Sequence, residues 1–496
     1  MKIFTIQRTI LFLFILIGFA SCEDKWEEHN ASLGADSNRN LFEVINENPD
    51  YAKFANLLSK SGYAEVLKSS KNFTLILPTN AAVEEAATTI DLNDSLALRS
   101  FVGYHIINSV YPVNASSDTV RAKNLRGKYV DFVNGNFNSI VPQVSNQVAR
   151  NGIYHVVSHA LTPYKNIYNF LLNFSEASKQ KEALLSFDTL KAVGDTMLPF
   201  RSPTFLSNVY YPMINESQKY TYFVLKDDFF TSEYDKLAPY YTTSYLSTGP
   251  RPDSTTAFFT KMNMLRDFIV PGDFSESNMP DTLTSLSGFK FTVDKSKIIS
   301  SHIASNGRVY YVSSLPYKLE DQIREFKVLG ASPSGFIAGY NSGNIYYRTK
   351  RDTAGNLYND IQIYDHKIRE FFASYLRRGA YKAKYKVYGR AISGLAGDPQ
   401  AIVQEDRTTP RSFTQYVEFF NPLTGLFNKP VKDADNLTVN RFTYVVKPLY
   451  HDEVYLGEYE KDEFGNLNLR LQSAPSVTRD DNTLILEYLR FEPILP

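Results

Sequence analysis

A multidomain chain, two α+β domains followed by an all-β sandwich, is the fold class that the sequence predicts, on three observations. The length of 496 residues exceeds what one core supports and suggests about three domains of ordinary size. An apolar strand, and a later strand opened by Asn-Gly, each occur twice, with 147 residues between Thr74 and Thr221 and 155 between Asn151 and Asn306. From about residue 325 the pattern changes to short runs of period-two alternation separated by turn residues, the signature of antiparallel strands.

The chain opens on a basic head (Lys2, Arg8) and an apolar run of 11 residues, Ile10 to Ala20, ending on the only cysteine, Cys22. The run has the length of a signal-peptide core and falls short of the roughly 20 residues of a membrane-spanning helix. Ala20, Ser21 and Cys22 resemble the lipobox of bacterial lipoproteins, with Phe19 where leucine is usual. The resemblance implies that residues 1–21 are removed and that Cys22 is lipidated, which places the mature protein on a membrane surface because two or more acyl chains anchor stably. The competing reading is a secreted protein with an incidental free cysteine. Residues 22–38 form an acidic and polar tether whose Glu23, Asp24, Glu27 and Glu28 resemble the signal that sends some Gram-negative lipoproteins to the outer face of the outer membrane.

The first folded segment, 39–165, begins with Asn40 as a helix cap and Glu43 three residues on, a capping box. Pro49 interrupts, and Tyr51, Phe54, Leu57 and Leu58 recur at helical spacing up to Gly62, a C-cap candidate. Phe73 to Leu77 reads as a buried strand stopped by Pro78. A helix follows, with Thr79 or Asn80 as cap and Glu84 and Glu85 expected in its first turn. Phe73-Thr74 running into Pro78-Thr79-Asn80, then Tyr104-His105-Ile106-Ile107, then Asn151-Gly152-Ile153-Tyr154-His155-Val156-Val157 with Pro163, resemble in order the three signatures of the fasciclin (FAS1) family. A degenerate second copy over 166–322 resembles it through Tyr220 to Leu225, Asp267 to Val270, and Asn306 to Val312 with Pro316. There Leu225 and Lys226 replace Pro-Thr, and both histidines become aromatic, as Phe268 and Tyr310. The Tyr- and Ser/Thr-rich stretch 240–256 is expected to be an inserted surface loop.

Over 325–496, runs such as Tyr381 to Tyr388, Arg441 to Val446 and Thr483 to Leu489 are broken at Gly355-Asn356, Pro422 to Gly425 and Gly465-Asn466. The Arg378 to Tyr381 entry and the closing Leu486 to Pro493 resemble the galactose-binding-like jelly rolls of carbohydrate-binding modules. That resemblance implies a sugar site. With no tryptophan after Trp26, tyrosine must supply the stacking rings, and Tyr346, Tyr347 and Tyr358, in turn-flanked polar surroundings, are the candidates.

Composition narrows the chemistry. Fifty-three basic and 53 acidic residues balance, against the basic footprint of nucleic-acid binding. Once Cys22 carries lipid, no disulfide, cysteine metal site or thiol nucleophile is left. The seven histidines form no His-Glu-x-x-His pair, no nucleophile elbow or phosphate loop occurs, and His105 in its apolar run reads as a structural histidine. No metal, cofactor or catalytic residue is assigned. Asp-Ser/Thr-aliphatic triplets such as Asp94-Ser95-Leu96 resemble an exported-protein O-glycosylation motif but also suit helix caps and turns. The expected function is non-catalytic: a lipid-anchored outer-membrane protein facing the exterior, for adhesion or glycan capture beside a Sus-like uptake system. The alternative is a structural subunit that binds an outer-membrane protein and has no ligand site of its own.

Overall fold

A computed structural model describes residues 38–113, 120–193, 196–244, 252–394, 412–478 and 481–496. The signal segment, Cys22 and the tether lie outside the described residues. By internal contact the chain divides into two compact units. One comprises the residues up to Phe170 with Met213–Lys219 and Ile303–Gly307; the other comprises Leu171–Pro212, Tyr220–His302 and Arg308–Pro496.

The first unit begins with helix Leu41–Asn46, whose capping box is present in full: Glu43 N–H donates to the Asn40 side chain and Asn40 N–H to the Glu43 carboxylate. Helix Ala52–Ser61 turns its apolar side (Phe54, Ala55, Leu57, Leu58) inward and ends at Gly62, which takes the left-handed φ of +80° that favours glycine. Strand Phe73–Pro78, buried at every residue, leads through the Thr79 cap into helix Asn80–Ala87. Glu84 and Glu85 fall in the second turn of that helix rather than the first, because the helix starts at Asn80 itself. Pairing gives a four-stranded sheet in the order Ile106–Ile107, Phe73–Pro78, Gly152–Val157, Pro142–Ala149. Its two central strands are parallel, Phe73 opposite Gly152 through Pro78 opposite Val157.

That register depends on Asn151 and Gly152. Buried Asn151 accepts from Leu41 N–H (2.9 Å) and donates to the carbonyls of Leu67 (2.7 Å) and Ser69 (2.8 Å), so one amide ties the helices to the sheet. A Cβ on Gly152, at φ +149°, would lie 2.0 Å from the Phe73 carbonyl oxygen; only glycine admits the strand so close.

A second four-stranded sheet has the order Ile269–Pro271, Tyr220–Leu225, Gly307–Val312, Ile298–Ala304, which repeats the first sheet element for element. Thr74 and Thr221 hold the same post. Thr74 Oγ1 donates to Ser109 O and accepts from Tyr111 N–H, both at 2.7 Å. Thr221 Oγ1 donates to Gly272 O (2.8 Å) and accepts from Phe274 N–H (2.9 Å). Tyr310, in the place of His155, stacks on Phe223 with centroids 5.6 Å apart. The stretch 240–256 is not all surface loop: Tyr241 is buried in a 3-10 turn, Thr243 is buried, and Pro252–Asp267 is helical, with 245–251 outside the described residues. Tyr241 and Thr243 pack inward, so this part of the stretch belongs to the core.

Residues from 326 onward build the sandwich. A six-stranded sheet runs Phe326–Leu329, Tyr488–Ile494, Lys384–Arg390, Val454–Glu460, Val431–Asp433, Thr438–Val439; a five-stranded sheet runs Gly335–Phe336, Phe372–Ala380, Gly465–Ser473, Phe413–Phe419, Phe442–Val446. A three-stranded sheet (Ile345–Arg351, Leu357–Ile363, Leu484–Leu486) completes it. One core of alternating inward residues joins them, including Tyr375, Tyr385, Val387, Phe419, Tyr444, Leu469 and Phe491. Among the described residues no helix is long and apolar enough to cross a membrane.

Candidate ligand-binding cleft

The three candidate tyrosines do not form one platform. Tyr346 and Tyr347 are neighbours on one strand, so the pleat sends them to opposite faces. Tyr347 is 59 % exposed, whereas Tyr346 is half-buried. Tyr358 pairs with Lys350 across the hairpin and is buried at 8 % exposure, its ring 5.5 Å from the Arg390 guanidinium. It shares a face with Arg348, Asp360 and Gln362, an interior polar cluster in which Arg348 Nε donates to Asp360 at 2.7 Å. Polar neighbours in sequence were thus a sign of a buried ion pair, and the expected exposure of Tyr358 is corrected.

His105 and His155 of the first unit are structural. Fully buried His105 donates from Nδ1 to Phe101 O and accepts at Nε2 from Leu161 N–H, both at 2.9 Å. His155 accepts from Asn146 N–H and donates to Tyr111 O, both at 3.2 Å. Burial holds each pKa down to about 4, since a second ring proton would face a donor. His159, four residues on, instead pairs at the surface with Glu85. Among the described residues no group of His, Cys, Asp and Glu could hold a metal ion.

The sandwich carries a different kind of site in the second unit. A cavity of about 590 Å³ opens where three connecting segments meet. The connection Lys461 to Phe464 crosses from strand Val454–Glu460 of the six-stranded sheet to strand Gly465–Ser473 of the five-stranded sheet. The turn from Phe420 to Lys429 closes through Asn421 N–H to Leu426 O (2.7 Å). Thr243, Ser244 and Phe259 supply the third wall. Main-chain bonds fix this arrangement: Phe464 N–H to Thr242 O (2.7 Å), Lys382 N–H to Tyr240 O (2.9 Å) and Lys461 N–H to Ala383 O (3.0 Å). The Phe464 ring packs between Tyr241 and Phe259, centroids 5.0 and 4.9 Å away.

Half-buried Phe259, Phe420 and Phe464 line this cavity together with Asn466 and Asn468, an apolar wall with a few convergent polar groups. Its charges are unequal in their partners. Lys429 pairs with Asp462, and Glu463 accepts from the Ser244 hydroxyl and backbone N–H. Lys461 is only 6 % exposed, and among the described residues its Nζ makes no hydrogen bond or ion pair. Desolvation draws its pKa down to about 8, against the nearby carboxylates of Glu463 and Asp462, which act to raise it. Sequence reasoning marked two of these connections as turns and missed Lys461. In the structure buried Gly457 and Tyr459 continue in phase two to Lys461, an inward position that its polarity in the sequence does not mark.

Residues 49–163 match the family model of the fasciclin domain. No curated protein matches the chain. Among solved structures, the FAS1 domain pair of the insect cell adhesion molecule Fasciclin I is 14% identical, with 55% of this chain and 99% of that chain covered and a TM-score of 0.23. The carbohydrate-binding module CBM36 in complex with calcium and xylotriose is 11% identical, covering 34% of this chain and 99% of that one at a TM-score of 0.19. The module CsCBM6-3 from Clostridium stercorarium in complex with cellobiose is 7% identical, covering 34% and 94% at 0.18. The chain is thus multidomain, with a FAS1-type α+β domain ahead of an all-β sandwich.

Proposed function

We propose that this protein is a non-catalytic cell-surface binder that captures glycan in the cleft at Lys461 to Asn466. The carrying observation is the cavity itself: three half-buried phenylalanine rings beside amide, hydroxyl and charged groups, the pairing of apolar face and polar edge that a pyranose ring presents. Residues 166–322 are read as a second, degenerate fasciclin-type domain, supported by the repeated strand order and the matched Thr74 and Thr221 bonds. A lipid on Cys22, display from the outer membrane and service to a Sus-like uptake system belong to the same reading. They are testable by fatty-acid labelling of a Cys22→Ala variant, which should take up none.

The test is a glycan array probed with the full mature chain and with a Phe420→Ala/Asn466→Ala variant. Binding by the first and its loss in the second, with melting temperature unchanged, is the expected result. One feature favours the alternative of a protein partner: Leu423 and Leu426, 80 % and 60 % exposed, stand on the turn beside the cleft. Silence across the array, with an outer-membrane protein captured by the wild type and lost in a Leu423→Ser/Leu426→Ser variant, would favour that reading.

A further inference from the structure

We infer that the cleft recognises an acidic sugar, whose carboxylate is received by Lys461 Nζ. This rests on the glycan-capture reading and names its ligand class. An ammonium group brings three donors and a full charge, and burying it without a partner is costly. The carboxylates of Glu463 and Asp462 lie near enough to favour the charge but make no hydrogen bond or ion pair with Lys461 Nζ among the described residues. Asp462 is taken by Lys429, and Glu463 is turned to Ser244 N–H, at 3.2 Å, and to the Ser244 hydroxyl. Lys461 nevertheless lines the cavity, held by Lys461 N–H to Ala383 O at the end of a strand whose preceding inward residue, Tyr459, is stacked on Phe419 with centroids 4.1 Å apart. A rigid backbone thus presents a desolvated cation to an open space walled by aromatic rings.

A neutral hydroxyl would satisfy one donor and leave the charge. A carboxylate satisfies donors and charge together, and charge-assisted hydrogen bonds are the stronger kind. The ring carrying that carboxylate is what Phe420 and Phe464 can hold. Proton linkage follows. The ammonium is lost in the free protein as pH rises past about 8, so affinity for an acidic sugar falls above that pH, with Lys429, Asp462 and Glu463 the other charged groups facing the cavity.

Calorimetric titration of the full mature chain with oligogalacturonate, with its methyl ester and with a neutral xylo-oligosaccharide tests this. The acid should bind at least tenfold tighter than its ester at pH 7 and lose that advantage by pH 9.5. Lys461→Met should bring acid and ester to equal affinity, and Lys461→Arg should keep part of the difference. Equal affinity for acid and ester in the wild type would overturn the acidic-sugar inference, and because that comparison needs no variant it stands even if Lys461→Met misfolds. Binding of neutral sugar alone would overturn it too while leaving glycan capture intact; binding of none of the three, with a silent array, would remove both.

Discussion

Asn151, His105 and His155 at the first sheet and its borders and Lys461 in the sandwich are all polar groups drawn out of water, yet they differ in what meets them there. Each sheet residue has its donors and acceptors matched by neighbouring main chain, whereas the lysine has no such match and faces a cavity. Burial with partners fixes a register; burial without them leaves a demand that a ligand can meet. Substitutions in the sheets should therefore lower stability and leave binding alone, and substitutions in the cleft should weaken binding without lowering stability.

The largest effect is expected at Gly152. A Gly152→Val side chain must displace the Phe73 carbonyl, and a loss of about 4 kcal/mol or more should appear as a lowered urea midpoint. Asn151→Ala removes three bonds and leaves the Leu41 N–H and two carbonyls unmet, for about 3 kcal/mol. Glycan affinity of whatever remains folded should be unchanged. Loss of binding without loss of stability at either site would break the comparison.

Acid sharpens it. With folded pKa values near 4 against an ordinary 6.5, the two imidazoles favour the folded state fully above about pH 6.5, and that contribution is lost as pH falls toward 4. The limit is about 3 kcal/mol each. Urea unfolding at pH 7 and pH 4.5 should show the decline, and His155→Tyr, the residue that the second sheet carries as Tyr310, should halve it. An unaltered pH dependence in that variant would contradict the assignment.

At the cleft the sign is opposite. Lys461 has a folded pKa of about 8 against 10.5, so its charge penalises the folded state below pH 8, and the penalty is removed as pH rises toward 10.5. Lys461→Met should raise stability at pH 7 by about 2 kcal/mol while weakening binding. A destabilised but binding-competent variant would show Lys461 to be an ordinary packing residue. The smallest effects compare the two sheets with each other: Thr74→Val and Thr221→Val should each cost about 1 kcal/mol, by similar amounts if the posts are equivalent.

Much of the scaffold was legible in the sequence because local rules and burial agree there. The Asn40 and Glu43 capping box, the Gly62 terminus, the Phe73 strand and the Tyr220 to Leu225 strand all rest on short-range chemistry. Tyr358 and Lys461 were not legible for a shared reason. Period-two alternation tells which residues share a face, but where a polar face is interior, as at Arg348 and Asp360, polarity no longer marks solvent. Part of the stretch 240–256 was hidden likewise, since Tyr241 packs on Tyr381 and Phe464, distant in the chain.

Hydrogen exchange followed by mass spectrometry, with and without a saturating amount of the best-binding oligosaccharide from the array, tests most directly whether the sandwich cleft is where this protein meets its ligand. Protection should rise in segments 420–429 and 459–468 and stay unchanged in strands Phe73–Pro78, Gly152–Val157 and Tyr220–Leu225. Protection centred on those strands, with none at 459–468, would contradict it.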